Sequence, residues 1–325
     1  RFILRDGATW TRCACTLSLS GVTDRAGQYS MSAVDAKTCA PPVLLTGPIL
    51  GGLCGALLSV TTFLYLNHDR ENKEFTAATR DSTGFWPAPS ADFNWCEPDY
   101  VYSPYVAEMW NTVTSLLFLV GPLLLWNQTS NWSVRFNLLL VVAIGLGSAA
   151  FHATLQYEHQ LFDELPMIMY IVNTVALLSS RDVACPRVLW LCGAALSVLL
   201  LGTDREHVAH KSGRVIMVLG FSGCFIWLAS SLASVCATLD ERAAGGYVFT
   251  RRYQYAALAV LLAIISWVLD NLGCQALHNL PFGLPYPQLH ALMWHTGMSY
   301  VCASLCQAVV GKQKDHSRAV ASAAE

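Results

Sequence analysis

The apolar positions of this chain are gathered into long runs rather than spread with a short period. Each run is close to the roughly 20 residues that a helix needs to cross the hydrocarbon core of a bilayer. One of these runs, at about 43–66, is separated from all the others by a polar linker at 67–92. The remaining runs are predicted to be transmembrane helices at about 105–126, 134–154, 161–180, 186–202, 213–238, 253–272 and 289–310.

This pattern predicts an all-α, polytopic membrane protein: a seven-transmembrane helix bundle with one extra N-terminal transmembrane segment. The extra segment is longer than the apolar stretch of about 7–15 residues in a cleaved secretory signal. The predicted organisation is a poorly defined N-terminal extension at 1–42, the extra segment at 43–66, the linker at 67–92, the seven-helix domain at 93–312 and a cytosolic tail at 313–325.

Composition and charge narrow the class of protein. Hydrophobic residues make up 54% of the 325 positions and charged residues only 13%, with a mean hydropathy of +0.41. An ordinary soluble domain carries about 25% charged residues, so a soluble enzyme is excluded. The net charge of -2, without a basic stripe, argues against nucleic acid as a partner. No obligate protein partner is inferred.

Lysine and arginine are commoner in the short cytosolic loops of membrane proteins, and their distribution here predicts the orientation. The lysines and arginines are concentrated in one set of loops and in the C-terminal tail, which places the C-terminus in the cytosol. The opposite, lumenal face then holds the linker before residue 105 and the loops at 155–160 and 273–289. Cys96 and Cys274 flank apolar runs on that face, where a disulfide is permitted.

Ionisable side chains at membrane depth usually mark function. Ser148 and His152 are four residues apart near the end of the second bundle span, so they share a helix face. Asp163 opens the third span, and His290 and His295 open the last one. Alternating spans put all five residues on the same face of the membrane, so the three imidazoles can converge.

Three neutral imidazoles and a water form an open zinc site of the kind that activates water and polarises a carbonyl. This chemistry suits an amide hydrolase. Asp163 is a candidate general base or proton donor, and Ser148 a candidate donor to the developing oxyanion. The alternative is that the histidines are hydrogen-bonded core residues and that Ser148 is a small packing residue.

Carboxylates and an amide cluster just before the first bundle span. Asn94, Glu97, Asp99 and Glu108 offer the hard oxygen ligands that suit calcium. A solvated acidic loop is the alternative, although it does not account for Glu108, which lies inside the apolar run. Asp270, at the end of the sixth span, is either a metal-adjacent group or part of a polar helix end.

Four stretches resemble the alkaline ceramidases, in order and at fitting separations: NWCEPDYVYSPYVAEMWNT, GLGSAAFHATLQYEHQLFDELPMI, WVLDN and LHALMWH. The resemblance covers about residues 91–310. It implies seven transmembrane helices and hydrolysis of ceramide from the bilayer to sphingoid base and fatty acid, in the endoplasmic reticulum or Golgi. The residues it implies are zinc ligands His152, His290 and His295, catalytic partners Ser148 and Asp163, and calcium ligands Asn94, Trp95 through its carbonyl, Glu97, Asp99 and Glu108.

Two positions depart from that family. Asn94 stands where the family has aspartate, which removes a negative charge from the calcium set. His290 and His295 are five residues apart rather than four, which on a regular α-helix turns the second imidazole about 140° from the first. Either a π-bulge absorbs the extra residue or a zinc ligand is lost.

Two other functions remain open at this stage. One is a seven-helix lipid-sensing receptor of the related progestin and adiponectin receptor group. The other is a transporter or a catalytically impaired lipid-binding protein, which the five-residue histidine spacing favours.

Overall fold

A computed structural model describes residues 84–179, 248–280 and 288–324, together with isolated positions between 191 and 216. These residues belong to one of two compact units of the chain, Val43–Glu325. The predicted spans at 43–66 and 213–238 lie wholly or largely outside the described residues, and the span at 186–202 is described only in part. The seven-span count therefore stays a prediction.

The described residues are mostly helical and contain no strand beyond an isolated bridge between Ser103 and Val106. Four helical stretches are long and apolar enough to cross a membrane: Met109–Gln128, Trp132–Thr154, Tyr157–Leu178 and Arg252–Leu272. The elements in chain order are α1 (Met109–Ser115), a 3₁₀ turn (Leu116–Leu119), α2 (Val120–Leu125), a second 3₁₀ turn (Trp126–Gln128), α3 (Trp132–Thr154), α4 (Tyr157–Ser179), α5 (Val248–Leu272), α6 (Cys274–His278), a π-helix (His290–His295) and α7 (Thr296–Ala324).

The first span is less regular than its apolar run predicts. Pro122 has no N–H, so the carbonyl of Phe118 lacks its usual partner four residues on. The chain tightens into the 3₁₀ turn Leu116–Leu119 just before that proline. The predicted helix at 105–126 is therefore two short α-helices joined by this turn.

The last helix is longer than predicted. The predicted tail at 313–325 is helical as far as Ala324, because the residues after 310 include alanine, lysine, glutamine and arginine, which are good helix formers. The Lys312 ammonium also donates hydrogen bonds to the carbonyls of Leu177 and Leu178 at the end of α4. This contact fastens the start of the tail to the bundle.

A tight turn joins α3 to α4. The Asn131 side chain caps the start of α3 by accepting hydrogen bonds from the N–H groups of Ser133 and Val134. At the other end Leu155 adopts a left-handed conformation, with φ 52°, which stops the helix. The chain then reverses, and α4 begins at Tyr157.

The backbones of α3 and α4 touch at Gly147. A Cβ atom there would lie 2.4 Å from the carbonyl oxygen of Phe162, so no other residue fits without movement. Pro166 stands four residues after Phe162 and leaves that carbonyl without an intrahelical N–H partner. This close approach brings Ser148 of α3 beside Asp163 of α4.

Apolar side chains divide between an inner and an outer surface. The core between α3, α4, α5 and α7 includes Leu138, Val175, Ile264 and Leu305, each at most 3% exposed. On the outer side of the first span Leu123 and Leu124 are 76% and 69% exposed. Large apolar side chains on the outside of a helical bundle suit contact with lipid.

The structure contains the disulfide that the sequence permits. Cys96, in the loop before α1, is bonded to Cys274 at the start of α6, with their Cα atoms 5.3 Å apart. The loop that carries the acidic residues is thereby tied to the end of α5.

Candidate metal centre and acidic loop

The three predicted histidines come together inside the bundle. His152 lies near the end of α3, and His290 and His295 lie at the two ends of the π-helix. Each is 1% exposed, and one nitrogen from each lies within 4.8 Å of the other two. Three imidazoles converging at this separation form a donor set that fits zinc.

The π-helix brings His290 and His295 together despite their five-residue spacing. A π-turn pairs each carbonyl with the N–H five residues later, so it accommodates one residue more than an α-turn. The ring centroids of His290 and His295 are 4.9 Å apart. The extra residue is thus absorbed locally, and of the alternatives that the spacing left open the π-bulge is the one present.

Two of the imidazoles are oriented by partners on the first span. The Nδ1 atom of His152 is 2.5 Å from Oε2 of Glu108. The Nδ1 atom of His295 is 2.8 Å from the Thr114 hydroxyl, which itself donates to the carbonyl of Trp110. With Nδ1 of each ring engaged in this way, Nε2 remains for a metal, the usual arrangement of histidines that bind one.

His290 is held by stacking. Its ring lies 3.5 Å, centroid to centroid, from Trp95 and 5.7 Å from Trp294, with interplanar angles of 23° and 18°. Its Nδ1 atom is buried and makes no hydrogen bond within the described part of the chain. An unpaired buried nitrogen is costly unless a ligand satisfies it, which agrees with a metal at this position.

Ser148 and Asp163 lie beside the histidines. The Ser148 hydroxyl is 3.0 Å from the Ser115 hydroxyl and 3.5 Å from Nε2 of His295. Asp163 is 8% exposed, and its Oδ1 atom has no hydrogen-bond partner among the residues described. Both side chains are therefore available to a small polar group placed between them and His295.

An apolar cavity opens at this point. Ser148, Asp163 and His295 form its polar end, and the remaining lining is apolar or aromatic apart from Tyr170 and Cys302. A mainly apolar pocket with a few convergent polar groups is typical of a site for a small lipophilic ligand.

The acidic loop is built differently, because its carboxylates are engaged by backbone groups. Glu97 accepts hydrogen bonds from the N–H groups of Trp110 and Asn111, at 2.7 and 2.9 Å, and so caps α1. Glu108 accepts one from the N–H of Trp95 at 2.9 Å. Burial raises the pKa of Glu97 to about 7, and the nearby charge of Asp99 adds to this shift.

The calcium set implied by the sequence is only partly assembled. Glu97, Asp99 and Glu108 are not among the groups of three in the described chain whose ligand atoms all lie within 4.8 Å of one another. The amide of Asn94 donates to Asp99 at 3.3 Å, while its Oδ1 atom is buried without a partner in the same part of the structure. That orphaned oxygen fits a hard cation. The Trp95 carbonyl as a ligand stays a prediction.

Sequence reasoning missed three contacts of this site. Glu108 was assigned to calcium alone, yet it contacts the zinc-ligand candidate His152. Thr114 and Ser115 were not predicted, because their partners lie 181 and 33 residues further along the chain and neither residue carries a motif.

Asp270 has a structural contact on the acidic-loop side. Its Oδ2 atom accepts a hydrogen bond from the N–H of Cys96 at 2.8 Å, beside the disulfide. The sequence left two interpretations of Asp270 open: a metal-adjacent group or part of a polar helix end. The structure supports the first only indirectly, through the loop that Asp270 contacts.

Comparisons with known proteins find relatives over most of the chain. The family model described as Ceramidase matches residues 87–321, most of the chain. The alkaline ceramidase 3 of Mus musculus is 29% identical over 237 residues, covering 66% of this chain and 81% of that protein. The alkaline ceramidase of Arabidopsis thaliana is 30% identical over 228 residues, covering 67% of this chain and 82% of that protein.

Proposed function

Because this chain belongs to the alkaline ceramidase family, we propose that it is a membrane hydrolase that cleaves the amide bond of ceramide to sphingoid base and fatty acid. One observation carries the proposal. Three buried imidazoles converge beside Asp163 and Ser148 at the polar end of an apolar cavity.

His152, His290 and His295 would hold zinc. When bound, zinc supplies a Lewis acid that polarises the amide carbonyl and lowers the pKa of water. Glu108 and Thr114 keep Nδ1 of His152 and of His295 occupied, so that Nε2 of each ring remains for the metal. Trp95 and Trp294 restrict rotation of the His290 ring by stacking on it.

Asp163 is the proposed general base and acid. Its carboxylate takes the proton of the water that attacks the carbonyl carbon, and returns this proton to the leaving nitrogen as the C–N bond breaks. Ser148 donates a hydrogen bond to the oxygen on which negative charge develops. The apolar cavity accepts an alkyl chain and excludes bulk water from the reacting groups.

Calcium is proposed for the acidic loop, with Asn94, Trp95, Glu97, Asp99 and Glu108 around it. The support is the orphaned oxygen of Asn94 and the mutual proximity of Glu97 and Asp99. Because Glu108 also contacts His152, calcium binding in the acidic loop would affect the zinc site.

We place the protein in the endoplasmic reticulum or Golgi, with a cytosolic C-terminus and the active site toward the lumen. The disulfide between Cys96 and Cys274 supports the lumenal side, since disulfides persist in oxidising compartments. The five-residue histidine spacing no longer favours a catalytically impaired lipid-binding protein, because the π-helix brings both rings to one point.

The test is ceramide hydrolysis by purified, detergent-solubilised protein with bound zinc counted. We expect wild type to release sphingoid base, His295→Ala to lose both zinc and turnover, and Asp163→Asn to keep zinc while losing turnover. His159→Ala is the matched control, because His159 contacts Thr154 outside the three-histidine group. A wild type that binds zinc and releases no sphingoid base would contradict the proposed function.

A further inference from the structure

The cavity ends against a layer of buried polar side chains. Its walls follow α4 from Asp163 to Tyr170 and the last helix from His295 to Leu305. At a rise of 1.5 Å per residue, the ten residues from His295 to Leu305 span about 15 Å. The cavity therefore reaches about halfway through a hydrocarbon core of roughly 30 Å.

Tyr170 lies at the boundary between the cavity and this layer. Its ring lines the cavity, and its hydroxyl donates to the carbonyl of Cys302 at 3.0 Å and lies 3.7 Å from Sγ of Cys306. Tyr170 is 3% exposed, so its ring is fixed by packing as well as by the hydrogen bond.

The polar layer continues behind Tyr170 across three helices. Asn137 of α3 contacts Sγ of Cys306 and donates to the Thr174 hydroxyl of α4 at 3.0 Å. Asn173 donates to Oδ1 of Asn137, also at 3.0 Å. These groups satisfy one another, and an alkyl chain pushed among them would remove partners that buried polar atoms need.

We propose that Tyr170, backed by the Asn137–Thr174–Cys306 layer, is the floor of the chain-binding cavity and determines the longest alkyl chain that the enzyme accepts. This inference rests on the proposed function. Tyr170 touches the end of the chain and takes no part in the chemistry, which occurs about 10 Å away by the rise of α4 from Asp163.

The experiment measures kcat/KM and Kd for a series of ceramides whose acyl chain and sphingoid base are lengthened separately. Tyr170→Leu lowers the floor, and we expect it to raise the preference for the longer of two neighbouring chain lengths by about tenfold, the lower end of the effect of one methylene in a hydrophobic pocket. Tyr253→Leu is the matched control: Tyr253 is also buried in the core but does not line the cavity. It should leave the ranking of chain lengths unchanged.

The contrary result is a Tyr170→Leu protein that retains zinc and the wild-type Tm and still ranks the chain lengths as wild type does. That result would overturn the proposal that Tyr170 is the floor of the cavity. If Tyr170→Leu does not fold, Leu305→Phe decides, because it fills the same end and should shift the preference to shorter chains; an unchanged ranking again overturns the proposal. A wild type that binds the series without hydrolysing it contradicts the proposed function instead, and the floor is then judged on the Kd values.

Discussion

The histidine site and the acidic loop are neighbours built on opposite plans. The three imidazoles project from helices, are buried, and have nitrogens within 4.8 Å of one another. The loop carboxylates repel one another, and Glu97 and Glu108 already accept hydrogen bonds from backbone N–H groups. The comparison teaches that helices preorganise neutral side chains, whereas the loop holds its carboxylates through backbone N–H groups.

Glu108 belongs to both regions, so changing it should have the largest effect. Glu108→Gln keeps the size of the side chain but weakens the charge-assisted contact with Nδ1 of His152. We expect a loss of about 10- to 100-fold in zinc affinity, the usual cost of removing a group that orients a metal ligand. Competition with a zinc chelator measures it. An unchanged zinc affinity would show that the two regions are not linked through this residue.

Gly147 tests the packing of α3 against α4 without involving the acidic loop. Gly147→Ala places a methyl group against the carbonyl of Phe162, and we expect it to destabilise the protein by about 1–3 kcal/mol and to separate Ser148 from Asp163. Thermal unfolding in detergent and ceramide turnover measure the two effects. Gly202→Ala is the matched control, because a Cβ there would meet no atom of the described residues within 4 Å. Equal Tm values for the two variants would contradict the close contact.

Thr114 orients one imidazole without belonging to the acidic loop. Thr114→Val preserves shape but removes the hydroxyl that holds Nδ1 of His295 at 2.8 Å. We expect about a tenfold loss of zinc affinity, whereas Thr114→Ser should bind zinc like wild type. If valine and serine behave alike at this position, the hydroxyl does not orient His295.

Protonation distinguishes the acidic loop from the histidine site. The pKa of Glu97 is raised from 4.5 to about 7, so the folded protein gains stability from the proton below pH 4.5 and loses it as the pH rises through 7. Calcium must displace that proton. We expect the calcium affinity to fall by up to about tenfold per pH unit below 7 and to level off above it.

Isothermal titration with calcium between pH 5.5 and 8.5 checks this dependence. Glu97→Gln should bind calcium weakly at every pH. A steep pH dependence that persists in Glu97→Gln would assign the displaced proton to another group.

Much of this arrangement could be predicted from the residues. Helical spacing and the alternation of spans are geometric rules, and they brought His152, His290 and His295 to one face of the membrane. The same alternation placed Cys96 near Cys274, which form a disulfide. Apolar length alone located the four described spans to within about four residues at most ends.

Other features depend on contacts that no local pattern encodes. The choice between a π-helix and a lost ligand is decided by packing around His290, including its stack on Trp95, 195 positions earlier. The engagement of Glu97 by the start of α1 and of Glu108 by His152 requires the folded loop. For the same reason the calcium ligands could be suggested by composition but not assembled.

The π-helix also affects how such proteins are recognised. A motif search for two histidines separated by three residues does not find this chain. Its two imidazoles nevertheless lie close together, with ring centroids 4.9 Å apart. The extra residue is absorbed between His290 and His295, and regular α-helix resumes at Thr296. Inserting one residue can therefore change the spacing of two histidines in the sequence, while the helix after it still directs the same side chains toward the cavity.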